Sequence, residues 1–358
     1  MTTEPAGADD TKEATGLASL LRGCAEPLSQ RYDVALLDLD GVVYVGPAAV
    51  PGAPEALAKA AGTGMRLAFV TNNASRTPAT IAAQLAGFGV AAAAADVVTS
   101  AQAAASLLAS RLAPGSAVLV IGSTALRIAV RERGLRPVST ALDQPAAVVE
   151  GYAPGLGYAQ FLEGGLAVRA GAWFVATNVD ATLPTGRGIQ PGNGSLCQVI
   201  AHATGQQPAV AGKPQPPLHA EAVARTGARR PLVVGDRLDT DIEGAVRAGA
   251  PSLLVLTGVT HPAGAVLAPP SQRPSYLAAD LAGLLEPHPA VTRQDLSFCC
   301  GGWRAHGGHD GADLSLDGAG DPVDGLRALC AAAWSLAEGQ VSPQMIQPAL
   351  AALGPLGT

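Results

Sequence analysis

Two carboxylates, Asp38 and Asp40, stand two residues apart at the end of the apolar run Val34-Ala-Leu-Leu37 and directly before Gly41. The run reads as a short buried strand, and Gly41 marks the turn that follows it. Side chains two apart on a strand share a face, so in a still-extended segment both acids project from one strand end. Carboxylates held together out of water repel each other and are costly to desolvate unless a cation or a proton lies between them. A Mg²⁺ ion meets that need. So does chemistry that uses one acid as nucleophile and the other as proton carrier. An ordinary Asp-Gly turn after a strand would explain the segment with no chemistry at all, so the residues that accompany it decide.

Three further sites do accompany it. Thr71 directly follows the apolar strand Met65–Val70 and offers a hydroxyl. Lys213, in Ala211-Gly-Lys-Pro214, offers a cation just before a proline. Gly235-Asp-Arg-Leu-Asp-Thr-Asp241 follows the apolar run 231–234 and supplies a carboxylate-rich loop. Singly these are a helix cap, a solvated lysine and a turn. Together, in this order and each beside a strand end, they describe a site.

Alternation along the chain supplies the frame. Strands are expected at 34–37, 65–70, 118–121, 147–150, 173–176, 232–234 and 253–256, with helices over 54–61 and 78–88 and between most of the other strands. Strand and helix at this rhythm mean parallel sheets covered by helices. Such sheets bind ligands at the carboxyl ends of their strands, where Asp38, Thr71 and Asp236 fall.

Composition excludes several classes. The 358 residues leave room for two or three domains,. The net charge is −6, and no dense Lys/Arg patch marks a nucleic-acid footprint,. Residues 1–13 lack the basic-then-apolar order of a signal peptide, and no apolar run is long enough for a membrane span. Five scattered cysteines make no disulfide framework,. The cytoplasm is the expected compartment. Nucleotide loops fail on spacing: six residues separate Gly205 from Gly212, with Pro214 after the lysine, which is no P-loop,. Gly155-Leu-Gly157 lacks the third glycine of a dinucleotide fingerprint,.

These segments resemble the four motifs of the haloacid-dehalogenase superfamily: Asp-x-Asp-Gly, a strand-terminal Thr, a Lys, and Gly-Asp-x-x-x-x-Asp. The chain is most similar to the branch, class IIA, whose cap domain lies between the second and third motifs. Asp38-Leu-Asp-Gly-Val-Val-Tyr44, Phe69-Val-Thr-Asn-Asn-Ala-Ser-Arg76, Ala176-Thr-Asn-Val-Asp180, Pro191-Gly-Asn-Gly-Ser-Leu196, Ala203-Thr-Gly205, Gly212-Lys-Pro214 and Gly235-Asp-Arg-Leu-Asp-Thr-Asp-Ile242 carry the likeness, over roughly residues 30–265. It implies a Rossmann-like α/β core with a doubly wound parallel sheet, an inserted α/β cap, and a phosphatase. By the resemblance Asp38 is the nucleophile that forms an aspartyl-phosphate, and Asp40 the proton donor and acceptor. Mg²⁺ would be held by Asp38, the Asp40 backbone carbonyl and Asp236. Thr71, Asn72, Asn73 and Lys213 would hold phosphate, with Asp241 behind them orienting a metal-bound water or Lys213. Dehalogenases of the superfamily lack the second acid, so Asp40 selects phosphate over halide.

The expected division is a flexible segment over 1–29, a core at 30–109 and 209–268, a cap at 110–208, and a linker with a C-terminal α+β appendage at 269–358. Within the cap, the loop Asp180-Ala-Thr-Leu-Pro184 is the expected specificity element, with Asp180 and Leu183 as substrate contacts. Its small residues favour a small polar substrate, and its form Asp-x-x-Leu-Pro resembles that of phosphoglycolate and glycerol 3-phosphate phosphatases. The resemblance implies a small phosphorylated metabolite, glycerol 3-phosphate first, phosphoglycolate next, then nucleotide or aryl phosphates. The appendage, with a helix over 322–336, resembles part of an acyl-CoA acetyltransferase but lacks the pyrophosphate loop, so acetyl transfer is not expected. Cys299, Cys300, His306 and His309 have zinc-binding chemistry, yet adjacent cysteines start from poor tetrahedral geometry. The appendage is expected to pack on the core, to support a homo-oligomer or to regulate; a non-catalytic scaffold is the alternative of another class.

Overall fold

The structure, a computed structural model, describes residues 21–307, 313–336 and 340–354. Strand β1 (Val34–Leu37) is buried at every position and delivers Asp38 at its end. Helix α1 (Ala53–Gly62) turns Ala53, Ala56, Leu57 and Ala60 inward, the i, i+3, i+4, i+7 spacing of a one-sided helix. Strand β2 (Arg66–Thr71) then lies parallel to β1, with Phe69 opposite Leu37. Helix α2 (Pro78–Gly87) begins at Thr77, whose hydroxyl accepts the Thr80 N–H,. Strand β3 (Val97–Thr99) runs straight into helix α3 (Ser100–Ala109), where Thr99 and Gln102 form a reciprocal cap,.

The inserted unit repeats the pattern. It comprises β4 (Ala117–Ile121), α4 (Thr124–Glu132), β5 (Arg136–Val138), β6 (Ala147–Glu150), α5 (Tyr158–Arg169) and β7 (Trp173–Ala176). A hairpin of β8 (Thr182–Thr185) and β9 (Gly188–Pro191), helix α6 (Asn193–Thr204) and β10 (Ala209–Val210) complete it. Its sheet has the order β10-β7-β6-β4-β5 and is parallel throughout. The expected cap limit at 208 falls short of β10, because Val210 still pairs with Ala176.

The chain returns through α7 (Pro216–Thr226), β11 (Pro231–Gly235), α8 (Glu243–Arg247), β12 (Ser252–Val255), α9 (Pro262–Val266) and β13 (Tyr276–Ala278). The core sheet has the order β13-β12-β11-β1-β2-β3 and is also parallel. From β1 the chain winds outward in one direction through β2 and β3, and later in the other through β11, β12 and β13. The crevice where these directions part is where such sheets bind ligands, and Asp38 and Asp236 flank it.

Two expectations about the ends need correction. The proline-rich stretch after 269 is not simply a linker: Tyr276, Leu277 and Ala278 pair with Leu253, Leu254 and Val255 as the edge strand of the core. Nor are residues 21–29 a loose lead-in. The Arg22 N–H donates to the Ser275 carbonyl at 2.8 Å, and Cys24 exchanges hydrogen bonds with His288. Residues 1–20 lie outside the described residues.

The C-terminal unit is an antiparallel sheet of β14 (Thr292–Gln294), β15 (Ser297–Cys300), β16 (Trp303–His306) and β17 (Ser315–Gly318), covered by α10 (Pro322–Trp334) and α11 (Pro343–Leu353). Its core is not separate. Leu326, Leu329 and Trp334 share one apolar cluster with Ile242, Leu254 and Leu277 of the core domain. The buried Arg327 anchors the junction, with Nη2 donating to the Leu277 carbonyl at 2.6 Å and Nη1 to Asp324 at 2.5 Å.

Candidate active site

Lys213 is the hub of the site. Its ammonium donates to Asp38 Oδ1, to Asp241 Oδ1 at 2.6 Å, and to the Val70 carbonyl at 3.1 Å. Lys213, Asp236 and Asp241 are all buried, and only Asp38 keeps some exposure. The oxygens of Asp38, Asp236 and Asp241 lie within 4.8 Å of one another, the only such His/Cys/Asp/Glu group among the described residues. Three carboxylates are therefore clustered, and one ammonium pairs directly with only two of them, Asp38 and Asp241.

The electrostatics follow from that imbalance. Burial, reinforced by Asp241 and Asp236, pushes the Asp38 carboxyl well up despite Lys213. Asp236 is raised to about 6, by burial first and then by the charge of Asp241. For Lys213 burial alone would lower the ammonium, but Asp241 and Asp38 outweigh it and keep it charged. The group is short of positive charge. Asp236 Oδ2 accepts the Val259 N–H at 2.6 Å, while its buried Oδ1 has no hydrogen-bond partner. An orphaned buried carboxylate oxygen is costly, and a hard divalent cation with oxygen ligands fits this donor set. Close packing keeps the acid in place. Gly41 (φ +86°) and Gly258 both lie against the Asp236 carboxylate, where any Cβ would strike it.

Asp40 retains solvent contact. What enclosure it has raises its carboxyl, against the charges of Arg76 and Lys213, the direction a proton carrier needs. Thr71 is buried at the end of β2, and its Oγ1 accepts the Asn73 N–H at 3.1 Å, which leaves the hydroxyl proton available. Asp241 also accepts the Arg237 N–H at 3.1 Å and sits in a single π turn over Leu238–Ile242.

The expected substrate contacts separate on inspection. Asn72 clamps the peptide of Lys213 from both sides: its Oδ1 accepts the Lys213 N–H at 2.8 Å and its Nδ2 donates to the Lys213 carbonyl at 3.2 Å. Asn73 turns away, with its Oδ1 accepting the Ser75 and Arg76 N–H groups in a local turn. Asp180 reaches from the cap to the core and accepts from Asn72 Nδ2 at 3.2 and 3.3 Å. Leu183 stands half-buried on β8, outside this network.

Asn178 does what the sequence did not assign. Its Nδ2 donates to the Asn72 carbonyl at 2.8 Å, and its Oδ1 accepts the Asp180 N–H at 3.2 Å. Asn193, at the start of α6, donates in turn to the Asn178 carbonyl at 2.8 Å. Asn178 lies within the segment Ala176-Thr-Asn-Val-Asp180, where nothing local shows that its amide spans 106 residues to reach Asn72.

The zinc chemistry does not assemble among the described residues. Cys300 is buried and its thiol faces the Pro289 carbonyl and Asp324, Cys299 precedes it on the opposite face of β15, and His306 pairs with Asp317 at 3.0 Å. His309 lies outside the described residues. All five cysteines are free thiols. No described helix is long and apolar enough to cross a membrane.

Comparison with known proteins agrees with this architecture. Residues 35–136 match the haloacid dehalogenase-like hydrolase family, and residues 210–284 a second family of the same hydrolase type. Residues 300–357 match the GCN5-related N-acetyltransferase like domain. The D-glycerol 3-phosphate phosphatase of Mycobacterium tuberculosis is 47% identical over 86% of this chain and 87% of its own. Structures of a glycerol phosphate phosphatase from that organism, solved with magnesium and with calcium, superpose with TM-scores of 0.81 and 0.80 at 47% identity; they cover 87% and 86% of this chain and 93% and 90% of theirs. A 5'-nucleotidase of Bacillus subtilis is 40% identical over 64% of this chain and 89% of its own. With the Asp38-Leu-Asp-Gly41 strand end, the cap inserted between Thr71 and Lys213, and relatives of this identity and coverage, the chain belongs to the haloacid dehalogenase-like hydrolases, as a class IIA phosphomonoester hydrolase.

Proposed function

We propose that the chain is a Mg²⁺-dependent phosphatase of small phosphomonoesters, with glycerol 3-phosphate as its substrate and Asp38 as the nucleophile. The observation that carries this is the clustering of Asp38, Asp236 and Asp241 within 4.8 Å of one another, with the ammonium of Lys213 paired to Asp38 and Asp241. Asp38 Oδ1 is held by Lys213, while Oδ2 accepts no hydrogen bond among the described residues. That oxygen attacks phosphorus in line, the P–O bond to the alkoxide breaks, and an aspartyl-phosphate forms. Asp40 donates its proton to the departing alkoxide, then takes one from the water that attacks the acyl phosphate and releases phosphate. Lys213 and the Thr71 hydroxyl hold the phosphoryl oxygens over which transition-state charge is spread. Asp38, the Asp40 carbonyl and Asp236 would hold Mg²⁺, which when bound supplies charge neutralisation at the phosphoryl oxygens.

The cap contributes Asp180, and its hold on Asn72 joins the cap to the peptide that carries Lys213. The small side chains beside it favour a compact alcohol portion. The named activity of the mycobacterial relative supports glycerol 3-phosphate over the nucleotide activity of the less similar one. The cytoplasm remains the proposed compartment.

Phosphate release from glycerol 3-phosphate, 2-phosphoglycolate and adenosine 5'-monophosphate, each with EDTA and then with Mg²⁺ restored, tests this reading. Glycerol 3-phosphate should show the highest kcat/KM, chelation should remove at least 100-fold of the rate, and Mg²⁺ should restore it. Activity untouched by chelation would remove the cation from the mechanism, and an inert protein would favour a scaffold.

A further inference from the structure

At the end of the core sheet opposite the active site lies a cavity of about 850 Å³. It opens beside the starts of β1, β11 and β12, against α7 and α8. Leu36, Val223 and Val233 form an apolar floor. Five arginines, Arg22, Arg31, Arg229, Arg230 and Arg247, line it as well. That concentration stands out in a chain with 23 basic residues and a net charge of −6.

Local acids cancel only part of this charge. Glu26 meets Arg31 only at 3.8 Å, and both side chains are largely exposed, a pairing of small worth. Glu243 pairs with Arg247. Asp33 uses its two oxygens on the backbone N–H groups of Arg229 and Arg230, at 2.9 Å each, and its charge acts also on the Arg230 guanidinium. The side chains of Arg22 and Arg229 make no hydrogen bond or ion pair among the described residues. His219, 2% exposed, also lines the cavity, and its Nδ1 lacks a hydrogen-bond partner.

We propose that this cavity is a second anion-binding site, for a phosphorylated ligand of nucleotide size. Its volume is within the range of small-molecule sites, which combine an apolar lining with a few convergent polar groups. The apolar floor suits a base or other flat apolar body. Guanidinium groups pair with phosphate through two parallel N–H donors. The cavity also touches the helix that follows Lys213. Arg247 Nη1 donates to Gln215 Oε1 at 3.4 Å, and Gln215 is the N-cap of α7, two residues after Lys213.

Calorimetric titration of ADP into the full chain tests the site, with EDTA present to remove any cation that would hold phosphate at the active site. Wild type should bind about one ADP per chain. Arg229→Ser with Arg230→Ser should weaken binding at least tenfold, and so should Val223→Trp, which fills the floor without changing charge. Thr71→Val, in the active site, should leave ADP binding unchanged. No ADP binding up to millimolar concentration would overturn the proposal. So would binding that is lost in Thr71→Val and kept in folded forms of both cavity variants.

Discussion

Among the hydrogen bonds of the described residues none joins Asn178 to Asp38, yet Asn178 stands between the cap and the lysine that holds Asp38. Its amide holds the Asn72 carbonyl and the Asp180 N–H, and Asn72 in turn clamps Lys213 from both sides. A hydrogen bond of this kind contributes about 1 kcal/mol, and more when its loss leaves a buried partner unsatisfied. Asn178→Ala should therefore lower kcat/KM roughly 10- to 100-fold while the Mg²⁺ concentration for half-maximal activity stays put, since none of the proposed ligands is touched. Steady-state kinetics against Mg²⁺ checks this. A change confined to metal affinity would place Asn178 elsewhere in the mechanism. Residues of this sort define the limit of sequence reading. Asp38, Asp40, Lys213 and Asp236 are legible because each sits in a short motif beside a strand end. Asn178 and Asn72 act through contacts between distant segments, and an amide in a loop carries no local signature of its partner.

At the level of elements, buried parallel strands are read most readily, because both faces are covered and the run stays apolar. Val34–Leu37, Ala147–Glu150 and Trp173–Ala176 have the bounds that their apolar runs suggest. Strand β10 has only two residues, and β13 lies in proline-rich text at a sheet edge, so neither has a pattern long enough to show. Strand β6 also conceals an anomaly. Its last residue, Glu150, is fully buried with neither carboxylate oxygen hydrogen-bonded. Burial raises it from 4.5 to about 7, and contact with Cys197 opposes the rise only partly. The folded chain thus holds this proton more tightly than the unfolded chain. Its contribution to stability is full below about pH 4.5 and is lost as pH rises to about 7, a difference of roughly 3 kcal/mol. Glu150→Gln should flatten that dependence and raise stability at pH 8 by about 2–3 kcal/mol relative to wild type. Urea unfolding at pH 5 and pH 8 measures it, and parallel pH dependences for the two proteins would show that Glu150 is not the source.

Across the whole molecule, the C-terminal unit and the hydrolase core share one apolar cluster, so the two are expected to unfold together. Trp334 is central to it: 4% exposed, with its indole N–H donating to the Ala265 and Val266 carbonyls at 3.2 and 3.1 Å. Trp334→Ala should cost about 3–5 kcal/mol, in one unfolding transition reported alike by fluorescence and circular dichroism. Its kcat should remain within about twofold of wild type while folded, because all the proposed chemistry lies between Asp38 and Asp241. Two separate transitions would show that the appendage folds on its own. The core itself also extends past the expected boundary at 268, because β13 completes its sheet.

Phosphoryl transfer to Asp38 is the claim on which the functional reading depends, and the acyl phosphate can be trapped. Borohydride added during turnover of glycerol 3-phosphate reduces an aspartyl-phosphate to homoserine, and peptide mass spectrometry then locates the converted residue. Homoserine at position 38, dependent on both substrate and Mg²⁺ and absent from Asp38→Asn, is the expected result. Conversion at Asp40, Asp236 or Asp241, or full turnover with no residue converted, would contradict it.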